Sequence, residues 1–182
     1  LTFREFEAAS RSIAAWLQAR GLEKGDRVAV MMPNILQNPV IIFGILRAGL
    51  VVVNVNPLYT PRELEHQLKD AGAKALFVLE NFASTVAQVV SRTAVRHVVV
   101  TTMGDMLGLK GLIVNLVVRK VKKLVPAWSL PGHISFKQVM AEGARGTVKP
   151  VSIAPDDTAF LQYTGGTTGV SQGAALAHGN LV

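Results

Sequence analysis

Six consecutive residues near the end of the chain have the composition of a phosphate-binding loop. They are Thr164, Gly165, Gly166, Thr167, Thr168 and Gly169. Glycine lets the backbone adopt positive φ, so successive N–H groups can converge on one anion. The threonine hydroxyls add further hydrogen-bond donors. This composition predicts a loop that holds the phosphates of a nucleotide.

The loop differs from the Walker pattern, because Val170 and Ser171 stand where its second glycine would be required. Two other interpretations stay open on residue types alone. Residues 166–169 match the G-x-x-G of a KH domain, which grips a nucleic-acid backbone. A glycine–threonine hairpin turn without any ligand would have the same composition.

Residues 163–169, YTGGTTG, with Gly173 behind them, resemble the signature loop of the acyl-adenylate-forming enzymes. This superfamily includes acyl-CoA synthetases, luciferases and the adenylation domains of peptide synthetases. The adjacent glycines, together with NVNPLYTPREL at 54–64, are most similar to bacterial long-chain fatty-acid–CoA ligases. The segments GDRVAVMMPN and FGILRAG extend the resemblance over nearly the whole chain.

The resemblance implies a reaction in which fatty acid, ATP and CoA give acyl-CoA, AMP and diphosphate through an acyl-adenylate. ATP and Mg²⁺ would be the cofactors, with CoA as co-substrate. Backbone donors of the loop would bind the β- and γ-phosphates, its threonine hydroxyls would complete the cradle, and Tyr163 would anchor it. The predicted ATP-binding residues are Tyr163, Thr164, Gly165, Gly166, Thr167, Thr168, Gly169, Gln172 and Gly173. No catalytic residue and no metal ligand is assigned.

Gln172 is the main departure from the family pattern, which carries lysine directly before the glycine that corresponds to Gly173. Glutamine donates hydrogen bonds but brings no positive charge. Its presence predicts weaker ATP binding or slower adenylation.

The chain begins at Leu1 without methionine and ends at Val182, and we expect it to be an N-terminal fragment. The family's magnesium-binding acidic motif, ribose-binding aspartate and C-terminal lysine would all follow Val182. The fragment is therefore not expected to be active alone. His178, close to the loop in sequence, is predicted to be structural, and Asp156 with Asp157 to form a turn or cap.

Length and composition are those of a compact α/β protein, with 182 residues, 49% hydrophobic and 17% charged. The chain has no cysteine, which is compatible with a reducing cytoplasm. Two uncharged windows, 28–46 and 158–182, approach the length of a membrane span. Prolines and amides interrupt the first window and the glycine–threonine loop interrupts the second, so no transmembrane helix is predicted.

Strands and helices alternate through the first hundred residues. Strands are predicted at 27–32, 50–55, 75–79 and 96–101, and their continuous apolar runs indicate cover on both faces. Helices are predicted after the capping residues Thr2, Thr60 and Asn81, the last running through Val90, and after the turn at 33–39. The pattern predicts an α/β fold with a doubly wound, mostly parallel sheet, the partial N-terminal portion of a larger domain.

The remaining chain divides at changes of composition. Residues 1–101 form the βα units, 102–142 a basic amphipathic insert, and 143–157 a linker. Residues 158–182 supply a strand, the phosphate loop and the start of the next element. A short helix is expected from Ser135 through Met140.

The net charge of +7 is concentrated in the insert, since no acidic residue lies between Asp105 and Glu142. At 100° per residue, a helix over 111–125 has one apolar side and one polar side. The apolar side comprises Ile113, Val114, Val117, Val118, Val121, Leu124 and Val125; the polar side comprises Asn115, Arg119, Lys122 and Lys123.

Two arrangements fit this helix. Residues 111–128, including Trp128, could contact an anionic membrane, which would place the protein peripherally on the inner membrane. Alternatively the apolar side packs on the core and the lysines face water. A nucleic-acid partner is not expected, and the sequence is compatible with an oligomer.

Overall fold

The chain folds around one seven-stranded sheet with helices on both faces, which confirms the predicted doubly wound α/β fold. The computed structural model describes residues 1–164 and 172–181. The strands are β1 Arg27–Met31, β2 Val51–Asn54, β3 Ala75–Leu79, β4 His97–Thr101, β5 Ile134–Ser135, β6 Thr158–Thr164 and β7 Gln172–Ala177. Their order is β5-β4-β3-β1-β2-β6-β7, and only β7 is antiparallel to its neighbour.

The helices begin and end largely where the sequence predicts them. They are α1 Phe3–Ala19, α2 Gln37–Arg47, α3 Pro61–Ala71, α4 Ala83–Val89, α5 Lys110–Leu116 and α6 Phe136–Gly143, with a π-turn at Val117–Val121. Thr2 and Thr60 form the two predicted capping boxes. Gly72 ends α3 in the left-handed conformation with φ 59°. Ser135 caps α6, which runs three residues beyond the predicted end.

Alternate residues of each strand point to the two faces of the sheet and build two cores. On one face Val28, Val30 and Phe77 pack against α1, α2 and α6. On the other, Met31 and Val78 pack against α3 and α4. Cover on both faces explains the continuous apolar runs in the strands.

The predicted helix cap at Asn81 is wrong. A short 3₁₀ turn at Glu80–Phe82 precedes α4, which begins at Ala83 without a side-chain cap. The side chain of Asn81 instead donates a 3.0 Å hydrogen bond to the carbonyl of Leu124. The Asn81 side chain, which the local sequence pattern predicts to cap the helix, is therefore used in a tertiary hydrogen bond.

The insert forms a shorter helix than predicted, and most of its large apolar residues are exposed, whereas Val114, Val118 and Val125 are half-buried. The α-helix ends at Leu116, and a π-helical segment continues it to Val121. Ile113 and Val121 are 66% and 68% exposed. No side chain of 112–125 belongs to either core of the described residues, so packing of the apolar side on the core is not seen within this part of the chain. No helix within residues 1–164 and 172–181 has the length and hydrophobicity needed to cross a membrane.

Residues 144–157 contain no helix or strand, and α1 holds part of this segment in place. Gln18 donates to the carbonyl of Lys149 at 3.0 Å and accepts from its N–H at 2.8 Å. The side chain of Val151 lies against Gly49. The segment thus connects α6 to β6 and passes along α1 and the end of α2.

Candidate functional site

The predicted phosphate loop joins β6 to β7 at the carboxyl edge of the sheet. Strand β6 ends at Thr164 and β7 begins at Gln172. Residues 165–171, which include Gly165, Gly166, Thr167, Thr168 and Gly169, lie outside the described residues. In open α/β sheets, ligands bind at the carboxyl ends of the parallel strands. The loop therefore emerges at the edge where a nucleotide is expected.

The two ends of the loop are held together as an antiparallel pair. Tyr163 is in register with Gly173, and Thr164 with Gln172. A KH loop joins two helices, whereas strands lie on both sides of this segment. The antiparallel flanks fit a phosphate-binding loop and equally fit a hairpin turn without a ligand. Gln172 and Gly173 belong to the paired strand.

Neighbouring elements position β6 through polar side chains as well as through the sheet. Asn54, the last residue of β2, donates a 3.0 Å hydrogen bond to the side-chain oxygen of Gln162 in β6. Buried Gln67 of α3 in turn donates to the carbonyl of Asn54 at 2.7 Å. These contacts cross-link three elements two residues before the loop begins.

Tyr163 anchors the β6 end of the loop, which is the role that the family resemblance implies. Its side chain is 8% exposed and belongs to the core between the sheet and α3. Its hydroxyl donates a 2.5 Å hydrogen bond to Oδ2 of Asp70 at the end of α3. Burial, and then the contact with Asp70, raise the pKa of the Tyr163 hydroxyl. The phenol therefore remains a protonated donor at physiological pH.

Gly173 has a packing reason to be glycine. A Cβ at this position would lie 2.9 Å from two ring atoms of Tyr163. The absent side chain lets the ring lie against the backbone of β7. Asp70 had no sequence signal for this role, because 93 residues separate it from Tyr163. Asp70 thus holds the hydroxyl of Tyr163, and Gly173 leaves room for its ring.

Replacing Tyr163 with phenylalanine is expected to lower the free energy of unfolding of the full-length protein by about 1 kcal/mol, since one hydrogen bond to a carboxylate is lost. Urea denaturation checks this value. Tyr163→Phe, Asp70→Asn and the double variant form a mutant cycle with a coupling energy of about 1 kcal/mol. Additive effects of the two changes would show that the hydrogen bond does not anchor the strand.

His178 lies away from the loop, although only nine residues separate it from Gly169 in sequence. Because β7 runs back along β6, Ala177 is in register with Thr158 at the beginning of β6. His178 lines a cavity at this amino edge together with Lys24 and Arg27. His178 therefore lies at the opposite edge of the sheet from the strand ends that lead into residues 165–171. The structural role of His178 stays a prediction.

Asp157 forms the predicted turn and also makes a salt bridge with Lys24. Its carboxylate accepts from the N–H of Ala154 at 2.7 Å and pairs with Lys24 at 2.6 Å. The salt bridge to Lys24 and the bond from Ala154 lower the pKa of Asp157. Among residues 1–164 and 172–181, no three histidine or acidic side chains are grouped to hold a metal ion. Asp157 therefore acts in the described fold as a turn residue.

Sequence comparison covers the whole chain. The profile of the AMP-binding enzyme family matches residues 1–182. The chain is 58% identical to a long-chain-fatty-acid–CoA ligase of Escherichia coli O6:H1 and 36% identical to one of Bacillus subtilis. Each alignment covers 100% of this chain and 33% of the relative. The chain thus spans about a third of the length of the curated relatives it matches.

Solved structures share the architecture. A long-chain-fatty-acid-CoA ligase from Archaeoglobus fulgidus superimposes with a TM-score of 0.73 at 27% identity, over 98% of this chain and 30% of that one. An anthranilate CoA ligase in complex with anthranoyl-AMP has a TM-score of 0.76 at 22% identity, over the same shares of the two chains. The second likeness concerns the fold alone.

Proposed function

Because this chain belongs to the AMP-binding enzyme family, we propose that it is the N-terminal part of an ATP-dependent long-chain fatty acid–CoA ligase. The observation that carries the proposal is the 58% identity to curated long-chain ligases along its entire length. The chain would contribute the loop that holds the phosphates of ATP. The rest of the enzyme would supply the groups that complete the active site.

The reaction would proceed in two steps. The fatty carboxylate attacks the α-phosphorus of ATP, which breaks the bond to the β-phosphate and gives acyl-adenylate and diphosphate. The thiol of CoA then attacks the acyl carbon, loses its proton and displaces AMP. Enzymes accelerate phosphoryl transfer mainly by positioning and by neutralising charge. A loop of backbone donors fixed at both ends would serve this purpose.

The described residues support this role through the rigidity of the loop ends. Pairing of Thr164 with Gln172 holds the two ends together. Hydrogen bonding of Tyr163 to Asp70 ties the first end to α3. A donor array whose ends are held by such contacts would need little reorganisation when the diphosphate charge develops. Mg²⁺ would neutralise the phosphates when bound, and its ligands are not assigned to residues of this chain.

The decisive experiment uses the full-length protein with palmitate, ATP, Mg²⁺ and CoA. We expect formation of AMP and palmitoyl-CoA, and fatty-acid-dependent exchange of diphosphate into ATP. Acetate, benzoate and anthranilate in place of palmitate test other acyl-adenylate-forming ligases. Exchange with one of these acids but not with palmitate would overturn the proposed substrate class. Absence of exchange with every acid would overturn the proposed reaction.

Replacing Gln172 with lysine is expected to raise the rate of ATP–diphosphate exchange about fivefold. A charged donor to phosphate exceeds a neutral one by about 1 kcal/mol. Gln88→Lys adds the same charge at an exposed position of α4 and should leave the rate unchanged. Equal rates for Gln172→Lys and the unmodified enzyme would argue against a position beside the triphosphate.

We propose a cytoplasmic location, because the proposed reaction uses ATP and CoA. The absence of cysteine in this chain is compatible with that compartment. A peripheral position on the inner membrane through residues 111–128 is a separate proposal with its own physical basis.

A further inference from the structure

The insert exposes an apolar surface that is continuous along one short stretch of chain. Seven large apolar side chains between 109 and 124 are each at least 37% exposed. This apolar ribbon consists of Leu109, Leu112, Ile113, Leu116, Val117, Val121 and Leu124. Single exposed apolar residues are common on soluble proteins, whereas contiguous apolar patches mark interaction surfaces.

Polar contacts on the inner side of the same segment keep the ribbon turned outward. Asn115 donates to the hydroxyl of Thr102 and accepts from the N–H of Gly104, both at 2.8 Å. Arg119 forms a bidentate salt bridge with Glu80, in which Nε donates to Oε1 and Nη2 donates to Oε2. The side chain of Glu80 is 2% exposed. The helix is therefore attached to the sheet edge by its polar residues. Rotating it to bury the ribbon would leave Glu80 buried without its partner.

Positive charge lies on the borders of the ribbon. Lys110, Lys120, Lys122 and Lys123 are exposed, and no acidic residue occurs between Asp105 and Glu142. Arg119 is the one basic residue of 109–124 that pairs with an acid. The ribbon and its lysines thus combine exposed apolar side chains with unneutralised positive charge.

We propose that the apolar ribbon and its bordering lysines form a surface that binds an anionic bilayer. Apolar side chains would enter the boundary between headgroups and acyl chains while lysines contact lipid phosphates. The exposed lysines complement the negative charge of lipid headgroups, which favours an anionic bilayer as the occupant. Trp128 is not part of this surface, since it packs against the core and against His133.

The segment lies at the carboxyl edge of the sheet, because Glu80 follows β3 and Thr102 follows β4. The phosphate loop leaves the same edge at the end of β6. Bilayer docking would therefore turn that edge toward the membrane, where long-chain acids partition. The docking itself does not depend on the ligase activity and can be measured without it.

The test is co-sedimentation of the full-length protein with phosphatidylcholine vesicles, with and without phosphatidylglycerol. We expect binding to the anionic vesicles that weakens as salt is raised. The variant Ile113→Gln/Val121→Gln should bind about tenfold more weakly. Its control, Phe3→Gln/Leu58→Gln, removes two side chains that are 94% and 82% exposed elsewhere and should bind normally.

A second variant, Lys120→Gln/Lys122→Gln/Lys123→Gln, should lose at least about tenfold in binding to anionic vesicles only. Its control is Arg4→Gln/Arg62→Gln/Arg145→Gln, which removes three exposed charges from other surfaces. This pair keeps the proposal testable if the apolar variant fails to fold. Normal binding by both test variants would overturn it.

Two other occupants of the ribbon give different results. If the remainder of the full-length chain covers the ribbon, Ile113→Gln/Val121→Gln lowers thermal stability without changing vesicle binding. If a second copy covers it, size-exclusion chromatography shows a dimer that this variant dissociates, again with unchanged vesicle binding. Either result would overturn the membrane proposal.

Discussion

Alanine in place of Gly143 is expected to destabilise the full-length protein by roughly 3 kcal/mol, at the upper end of overpacking costs. The added Cβ would lie 2.0 Å from the carbonyl oxygen of Ser12 in α1. A helical alanine gains about 1 kcal/mol over glycine in intrinsic propensity. The clash outweighs this gain because its partner is backbone, and relief requires α1 and α6 to separate.

Differential scanning calorimetry should show Tm lowered by about 5 °C or more. Trp16 reports on the same contact, because its indole N–H donates to Glu142 of α6 at 2.9 Å. Its fluorescence should change at lower temperature than in the unmodified protein. Gly146→Ala is the control, since its Cβ would lie 3.2 Å from that of Ala15 and needs only a small adjustment. Equal Tm values for the two variants would contradict the packing argument.

Replacing Arg119 with methionine is expected to lower the free energy of unfolding by about 2 kcal/mol. Breaking a buried ion pair typically costs about 3 to 5 kcal/mol because one charge stays buried and unpaired. Here Glu80 is buried, but the Arg119 side chain is 47% exposed. Water can therefore reach part of the site, and the cost is smaller than for a fully buried pair.

Urea denaturation of the full-length protein measures this loss. Lys120→Met removes a neighbouring exposed charge and should change stability by no more than about 0.5 kcal/mol. The double variant Glu80→Gln/Arg119→Met removes both charges and should regain part of the stability. If Arg119→Met and Lys120→Met are equally stable, the salt bridge does not hold the insert against the sheet.

Helix ends were predictable where neighbouring residues supply the cap. Thr60, Pro61 and Glu63 lie within four residues, and their capping box forms as the sequence predicts. The cap at Asn81 failed because its side chain bonds to Leu124, 43 residues away. No local pattern contains the information about such a partner.

The candidate site likewise has features that the local sequence predicts and features that depend on residues far apart in the chain. The composition of 164–169 predicts a phosphate loop, which stays a prediction, and the family resemblance implies that Tyr163 anchors it. Asp70 as the partner of Tyr163, and the contact of Gly173 with the ring, appear only when β6, β7 and α3 are assembled. The role of Gly173 depends on a packing contact that its residue type does not encode.

The sequence by itself determined that strands and helices alternate and that both faces of the sheet are covered, because hydrophobic periodicity and capping act over a few residues. It also determined that 111–125 has one apolar side. Only the tertiary structure decided which side faces the protein. Asn115 and Arg119 find partners at the sheet edge, and a buried Glu80 requires its charge to be matched. An amphipathic pattern defines two faces but does not specify what either face contacts.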